Sequence, residues 1–162
     1  MDRLWTPWRY AYIKGASGQQ SGDPSCIFCS LRDASDDDAA FILHRAQHNY
    51  IVLNIYPYIS GHLLIVPYEH TPDLDAASAE TTGELMSLAK TCQTILREVY
   101  QPHGFNLGMN FGKAAGAGVT DHIHLHIMPR WVGDANFMTT VGETRVIPED
   151  LTATFTKLRG RF

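Results

Sequence analysis

The sequence predicts an α+β domain, a mainly antiparallel sheet carrying one long helix and a short C-terminal helix. Two observations predict it. Residues 50–54 and 62–66 are apolar runs separated by a turn containing Pro57 and Gly61, the pattern of a β-hairpin. Leu85, Leu88, Cys92, Ile95, Leu96 and Val99 recur at three- and four-residue steps, the period of a helix with one buried face. Hairpin strands with a single long helix, rather than alternating helices and strands, favour an antiparallel sheet.

The elements follow in chain order. Residues 15–25 are a polar, glycine-rich loop, and the acidic run 32–39 reads as a solvated turn. The strand at 50–54 pairs with 62–66, which Pro67 stops. The long helix starts near Asp75 as cap and runs to about Tyr100, with Gly104 just past its end. Cys92 lies on the apolar stripe and reads as core. A third strand covers 105–111 and a fourth 122–128. Residues 148–159 form the short C-terminal helix, with Pro148 near its first turn. No repeat or long linker divides the 162 residues, which fit one domain spanning 1–162.

Composition bounds the function. A formal net charge of −4 argues against wholesale binding to nucleic acid or an anionic membrane, which needs a basic surface. A small anionic substrate remains compatible, because a pocket can be locally positive. The opening residues carry charges and a proline, unlike a signal peptide, and no run approaches the ~18 apolar residues of a membrane span. Three cysteines, Cys26, Cys29 and Cys92, suggest a reducing compartment, so the cytoplasm is the expected location.

The segment Asp121-His122-Ile123-His124-Leu125-His126-Ile127-Met128-Pro129-Arg130 carries the chemistry. On a strand, alternation puts Ile123, Leu125 and Ile127 on one face and the three histidines on the other, each ~6.6 Å from the next. Packing alone does not call for such a row. Two readings stay open. His-x-His on a strand supplies two metal ligands. Alternatively, a neutral imidazole acts as nucleophile, with one ring nitrogen free and the other held by a hydrogen bond. The preceding loop, Gly112-Lys113-Ala-Ala-Gly-Ala-Gly118-Val-Thr, is rich in small residues that admit a phosphate to backbone N–H groups, and Lys113 adds a charge. It lacks the Gly-x-x-x-x-Gly-Lys-[Ser/Thr] spacing of a P-loop. Cys26-Ile-Phe-Cys29 has the spacing of half a zinc site or of a redox pair.

The run His122-Ile-His124-Leu-His126-Ile-Met resembles the histidine triad signature of the HIT superfamily. The resemblance extends through Leu53-Asn54-Ile-Tyr-Pro-Tyr-Ile-Ser-Gly61-His62-Leu-Leu-Ile-Val-Pro67-Tyr-Glu-His70 and Pro129-Arg130-Trp131-Val-Gly133-Asp134-Ala135-Asn136-Phe137, covering roughly residues 5–148. It is similar to the branch of fragile-histidine-triad hydrolases and diadenosine tetraphosphate phosphorylases, and the Trp-x-Pro-Trp-Arg start leans to the phosphorylases.

The resemblance implies a HIT-like fold, a homodimer and nucleotidyl transfer through a histidine intermediate. It implies His124 as nucleophile, His126 as the residue that contacts phosphate and assists the leaving group, and His62 as a further histidine beside them. Asn54 matches the residue that bonds the ribose hydroxyls, and Asn110 falls where hydrolases carry a glutamine near the leaving phosphates. Gly118-Val119 stands where hydrolases have Gln-[Ser/Thr], which shifts weight to phosphorolysis. Relatives with structural zinc hold it through positions matching Cys26, Cys29, His70 and His122. The expected substrate is a dinucleoside polyphosphate. The alternatives are a hydrolase of nucleoside polyphosphates or phosphoramidates, a metal-dependent hydrolase using the histidines as ligands, and a non-catalytic nucleotide-binding regulator. The metal-dependent reading needs a further ligand, and no histidine follows His126. Trp5, Trp8, Tyr10 and the long helix are candidate dimer surfaces.

Overall fold

A computed structural model describes residues 26–142 and 147–162. The glycine-rich loop before Cys26 and the N-terminal aromatics Trp5, Trp8 and Tyr10 lie outside them. The five strands are β1 (Ile42–Arg45), β2 (Asn49–Leu53), β3 (Leu63–Pro67), β4 (Gly104–Gly108) and β5 (Leu125–Arg130). They form one sheet in the order β1-β2-β3-β5-β4, every pair antiparallel. The helices are α1 (Ile27–Arg32), α2 (Ala79–Tyr100), α3 (Phe137–Thr140) and α4 (Leu151–Leu158).

The predicted hairpin is β2–β3, paired without a break from Asn49↔Pro67 to Leu53↔Leu63. Strand alternation then sorts its side chains. Ile51, Leu53, Leu63 and Ile65 join Leu125 and Ile127 in a core against Leu85, Cys92 and Leu96 of α2 and Phe155 and Leu158 of α4. Cys92 is fully buried there, as its place on the stripe predicts. Tyr50, Val52, Leu64 and Val66 point the other way and pack with Phe28 of α1 and Ile42. His62 shares the parity of Leu64 and Val66, and His126 lies opposite Leu64 across the β3–β5 pair. The histidine face is therefore the face away from α2.

Several boundaries differ from the sequence reading. The long helix is capped by Ser78, whose hydroxyl accepts from Thr81 N–H, and Asp75 falls in a short 3₁₀ turn before it. A serine that satisfies an orphan N–H displaces the earlier acidic candidate. The third strand stops at Gly108. The fourth begins at Leu125, so His122 and His124 precede its regular part, and Ile123 N–H bonds instead to Thr71 C=O. The C-terminal helix begins after Asp150, which accepts from Ala153 N–H. Three elements lie outside the sequence expectation: α1 and α3, too short for a periodic pattern, and β1, an edge strand of four residues with an irregular register to β2. Among the described residues no helix is long and apolar enough to cross a membrane.

Candidate functional site

The turn between β2 and β3 reverses at Gly61, where φ is +74°. It delivers His62 to the start of β3, beside His126 on β5. Both are buried, as are His122 and His124. The His62 and His126 ring centres are 5.1 Å apart, and those of His124 and His126 are 4.9 Å apart. His122 departs from this row: its ring turns to His70, with centres 5.1 Å apart, and to the cysteines.

Partner chemistry fixes the proton positions, because some partners only donate and others only accept. Tyr58 N–H donates to His62 Nδ1 at 3.1 Å, so the proton of neutral His62 is on Nε2. His62 Nε2–H then donates to His126 Nδ1 at 2.9 Å, which leaves the proton of His126 on Nε2. His124 Nδ1–H donates to the His122 carbonyl at 3.0 Å, which leaves a lone pair on His124 Nε2. His122 Nε2–H donates to the Pro67 carbonyl at 2.9 Å, and its Nδ1 faces Cys26 and Cys29. Burial holds His124 below the usual histidine range, and burial together with nearby His124 takes His126 down to about 4. Both imidazoles are thus neutral at physiological pH.

The ligand atoms of Cys26, Cys29, His70 and His122 lie within 4.8 Å of one another. Cys26 Sγ is 3.4 Å from His122 Nδ1, and Cys29 Sγ is 3.7 Å from His122 Nδ1 and 3.3 Å from His70 Nδ1. A tetrahedral ion with metal–sulfur bonds of about 2.3 Å and metal–nitrogen bonds of about 2.0–2.1 Å holds its ligands about 3.4–3.8 Å apart. The four residues fit such an ion. The Pro67 carbonyl fixes the His122 tautomer that leaves Nδ1 free to bind it. Burial, and then the adjacent Cys26 sulfur, raises the Cys29 thiol above its ordinary range, which a cation among the four would reverse.

The other sequence candidates are less tightly placed. Asn54 Nδ2 lies 3.4 Å from His62 Nδ1, and its Oδ1 accepts from Tyr56 N–H, so it borders the histidines at the turn. Asn110 is half-buried, and Lys113 and Gly118 are exposed on the loop before the triad. That loop reaches the histidine face through Val119, which packs on the Phe28 and Tyr50 cluster. Downstream, Arg130 pairs with Asp134 at 2.6 Å, and Asn136 caps α3 by accepting from Met138 N–H. The Gly133-Asp134-Ala135-Asn136 run thus has local structural work to do.

The sequence reading missed Phe28, Tyr58 and Pro67. Phe28 is buried against the His122 and His124 rings, and Tyr58 lies nearly parallel to His126 at 6.0 Å. An aromatic residue inside the Cys-x-x-Cys was the available signal for Phe28. The contribution of Pro67 is a backbone carbonyl, which no side-chain pattern reveals.

The HIT domain model matches residues 36–132. The chain belongs to the HIT family. It is 38% identical to a Mycobacterium tuberculosis protein named AP-4-A phosphorylase, over 92% of this chain and 78% of that one. It is 31% identical to the nitrilase and fragile histidine triad fusion protein NitFhit of Caenorhabditis elegans, over 59% of this chain and 22% of that protein. A Zn-bound histidine triad family protein from Mycobacterium smegmatis superposes with a TM-score of 0.67 at 29% identity, covering 85% of this chain and 92% of that one.

Proposed function

We propose that this HIT protein cleaves dinucleoside polyphosphates by phosphorolysis, in two transfers through His124. The observation that carries the reading is the adjacency of the His124 and His126 rings, centres 4.9 Å apart, each bonded through Nδ1 so that His124 keeps a lone pair on Nε2 and His126 an N–H on Nε2. The 38% identity to AP-4-A phosphorylase supports the substrate class and the choice of phosphate over water. Gly118-Val119, in place of the glutamine of hydrolases, points the same way.

In the first transfer, His124 Nε2 attacks the α-phosphorus. The N–P bond forms as the bridging P–O bond breaks, and the leaving polyphosphate keeps the electron pair. Such a leaving group needs charge stabilisation more than a proton, since a phosphate monoester loses its second proton near pH 6. Burial, together with nearby His124, lowers the His126 pKa to about 4, so the neutral ring offers its Nε2–H as a hydrogen-bond donor to the leaving oxygen. Its donor is held in place by the chain from Tyr58 N–H through His62. In the second transfer an oxygen of inorganic phosphate attacks phosphorus, the N–P bond breaks, and the electron pair returns to Nε2. Diadenosine tetraphosphate would yield one nucleoside triphosphate and one diphosphate. Asn54 is assigned to the ribose, and Asn110, Lys113 and the Gly118 backbone to the phosphates.

We also assign structural zinc to Cys26, Cys29, His70 and His122. A closed set of four protein ligands is the pattern of a structural site, and neither His124 nor His126 belongs to it. The histidines thus divide between metal and chemistry, which disfavours a metal-dependent hydrolase built on the triad. The whole chain is read as one HIT domain that pairs into a cytoplasmic homodimer. The test of function is incubation with diadenosine tetraphosphate with and without inorganic phosphate. Adenosine tri- and diphosphate formed only with phosphate support the reading; adenosine monophosphate formed without it assigns a hydrolase instead.

A further inference from the structure

The metal ligands and the proposed nucleophile meet at one side chain. Phe28 lies between Cys26 and Cys29 in sequence and is 5% exposed. Its ring centre is 5.5 Å from that of His122, edge-on at 69°, and 4.7 Å from that of His124, tilted at 46°. Both contacts fall in the range favoured by aromatic pairs. The backbone carbonyl of Phe28 accepts from the fully buried Tyr50 hydroxyl at 2.8 Å, which fixes where the ring enters the site. His124 therefore has Phe28 and His126 as ring neighbours, while its Nδ1–H reaches the His122 carbonyl.

The segment carrying Phe28 depends on its anchors. Helix α1 has six residues, far below the length at which a helix is stable alone. Its C-terminal end is held by Leu31 packing and by Arg45, which donates to the Leu31 and Arg32 carbonyls, and its N-terminal end, which carries Phe28, by the Tyr50 bond and the ligand cluster. His122, the ligand whose Nδ1 faces both cysteine sulfurs, also supplies the carbonyl that orients His124. A metal gripping Cys26, Cys29 and His122 would hold both the wall and the hydrogen-bond acceptor of the His124 ring.

We propose that Phe28 is a positioning residue for His124, and that metal occupancy of the Cys26, Cys29, His70 and His122 cluster is transmitted to the nucleophile through Phe28 and the His122 backbone. The inference rests on the reading of His124 as nucleophile. With Phe28 in place the ring cannot swing out of reach of the His122 carbonyl, so its proton stays on Nδ1 and its lone pair on Nε2. Without that wall the ring gains other orientations. The tautomer protonated on Nε2, which cannot attack, then becomes populated.

The test uses zinc-loaded, full-length wild type, Phe28→Leu and Phe28→Ala, with metal per chain measured by mass spectrometry. The first readout needs no substrate: ¹⁵N NMR of the histidine rings at about pH 8, with His124 assigned from the His124→Asn spectrum. Wild type is expected to show a single His124 tautomer protonated on Nδ1, and Phe28→Ala a mixture, with about one metal per chain retained. The second readout is kinetic. In Phe28→Ala kcat should fall ten- to hundredfold, about 1.4–2.8 kcal/mol in the barrier, with KM changed less than about threefold, and Phe28→Leu should fall between. Removing metal from wild type should move the His124 signal as Phe28→Ala does, and removing it from Phe28→Ala should add little. If Phe28→Ala loses its metal, Phe28→Leu, which keeps most of the volume, decides the outcome. An unchanged His124 tautomer in the metal-loaded variants, or a rise in KM with kcat intact, overturns the positioning role. A His124 signal indifferent to metal removal overturns the coupling. If wild type turns over no dinucleoside polyphosphate, the proposed function fails, while the NMR readout still decides the positioning of the ring.

Discussion

Gly61→Ala should destabilise this protein by about 3 kcal/mol, for reasons that can be counted. Gly61 has φ +74°, a conformation that costs an L-residue roughly 1–2 kcal/mol. A Cβ there would meet Pro129 Cγ at 3.2 Å and Leu96 Cδ2 and Tyr100 Cε2 at 3.3 Å each. These are side-chain atoms of β5 and α2, and each must give by a few tenths of an ångström. Overpacking of this kind costs about 1–3 kcal/mol. The combined range is about 2–5 kcal/mol. For a chain of this size, 3 kcal/mol corresponds to a melting point roughly 6–12 °C lower. Gly83→Ala is the control: it lies inside α2 with nothing within 4 Å of its Cβ. It should gain about 1 kcal/mol from helix propensity. Urea unfolding followed by circular dichroism measures both. Gly61→Ala within about 0.5 kcal/mol of wild type would refute the argument. Gly61 directly precedes His62, so a shift of its backbone moves that histidine and the folded fraction should show reduced turnover.

Three further outcomes are expected. Protein purified without chelator should carry about one zinc per chain, and chelation should lower the melting point, since a structural metal contributes to folding free energy; metal analysis finding none contradicts the assignment. Stability should fall as pH drops from about 6.5 towards 4, because an unfolded histidine takes up a proton in that window while buried His126, with its pKa near 4, does not. The loss due to His126 is on the order of 3 kcal/mol, and an unchanged pH slope in His126→Asn would contradict it. The proposed homodimer should sediment as such at micromolar concentration; β4 is an edge strand whose residues Asn106, Leu107 and Gly108 are exposed, and a species that stays monomeric argues against pairing.

The fold class and the histidine site were legible where periodicity is strong and side chains carry the signal. The α2 stripe and the β2–β3 alternation each extend over enough residues to fix one face, and that face fixed which histidines turn away from α2. The resemblance brought Cys26, Cys29, His70 and His122 together, and their ligand atoms do converge. Short elements were not legible: α1 and β1 are too brief for a period to emerge. Alternation alone placed the three imidazoles in one row, whereas His122 turns to the cysteines because it precedes the regular strand. The partners that fix the tautomers are mainly backbone groups, the carbonyls of Pro67 and His122 and the N–H of Tyr58. Their places depend on the folded chain, so no residue type announces them.

Covalent transfer through His124 leaves an intermediate that can be trapped. Wild type mixed with diadenosine tetraphosphate labelled at the α-phosphorus, without inorganic phosphate, should be quenched in alkali and mapped by mass spectrometry. An acid-labile adenylyl group is expected on His124, chased by inorganic phosphate into adenosine diphosphate. His124→Asn should form no adduct and lose turnover by several orders of magnitude while binding substrate nearly as well, because the missing group acts mainly in the transition state. Near-normal turnover by His124→Asn, or an adduct on another residue, would rule out His124 as the nucleophile.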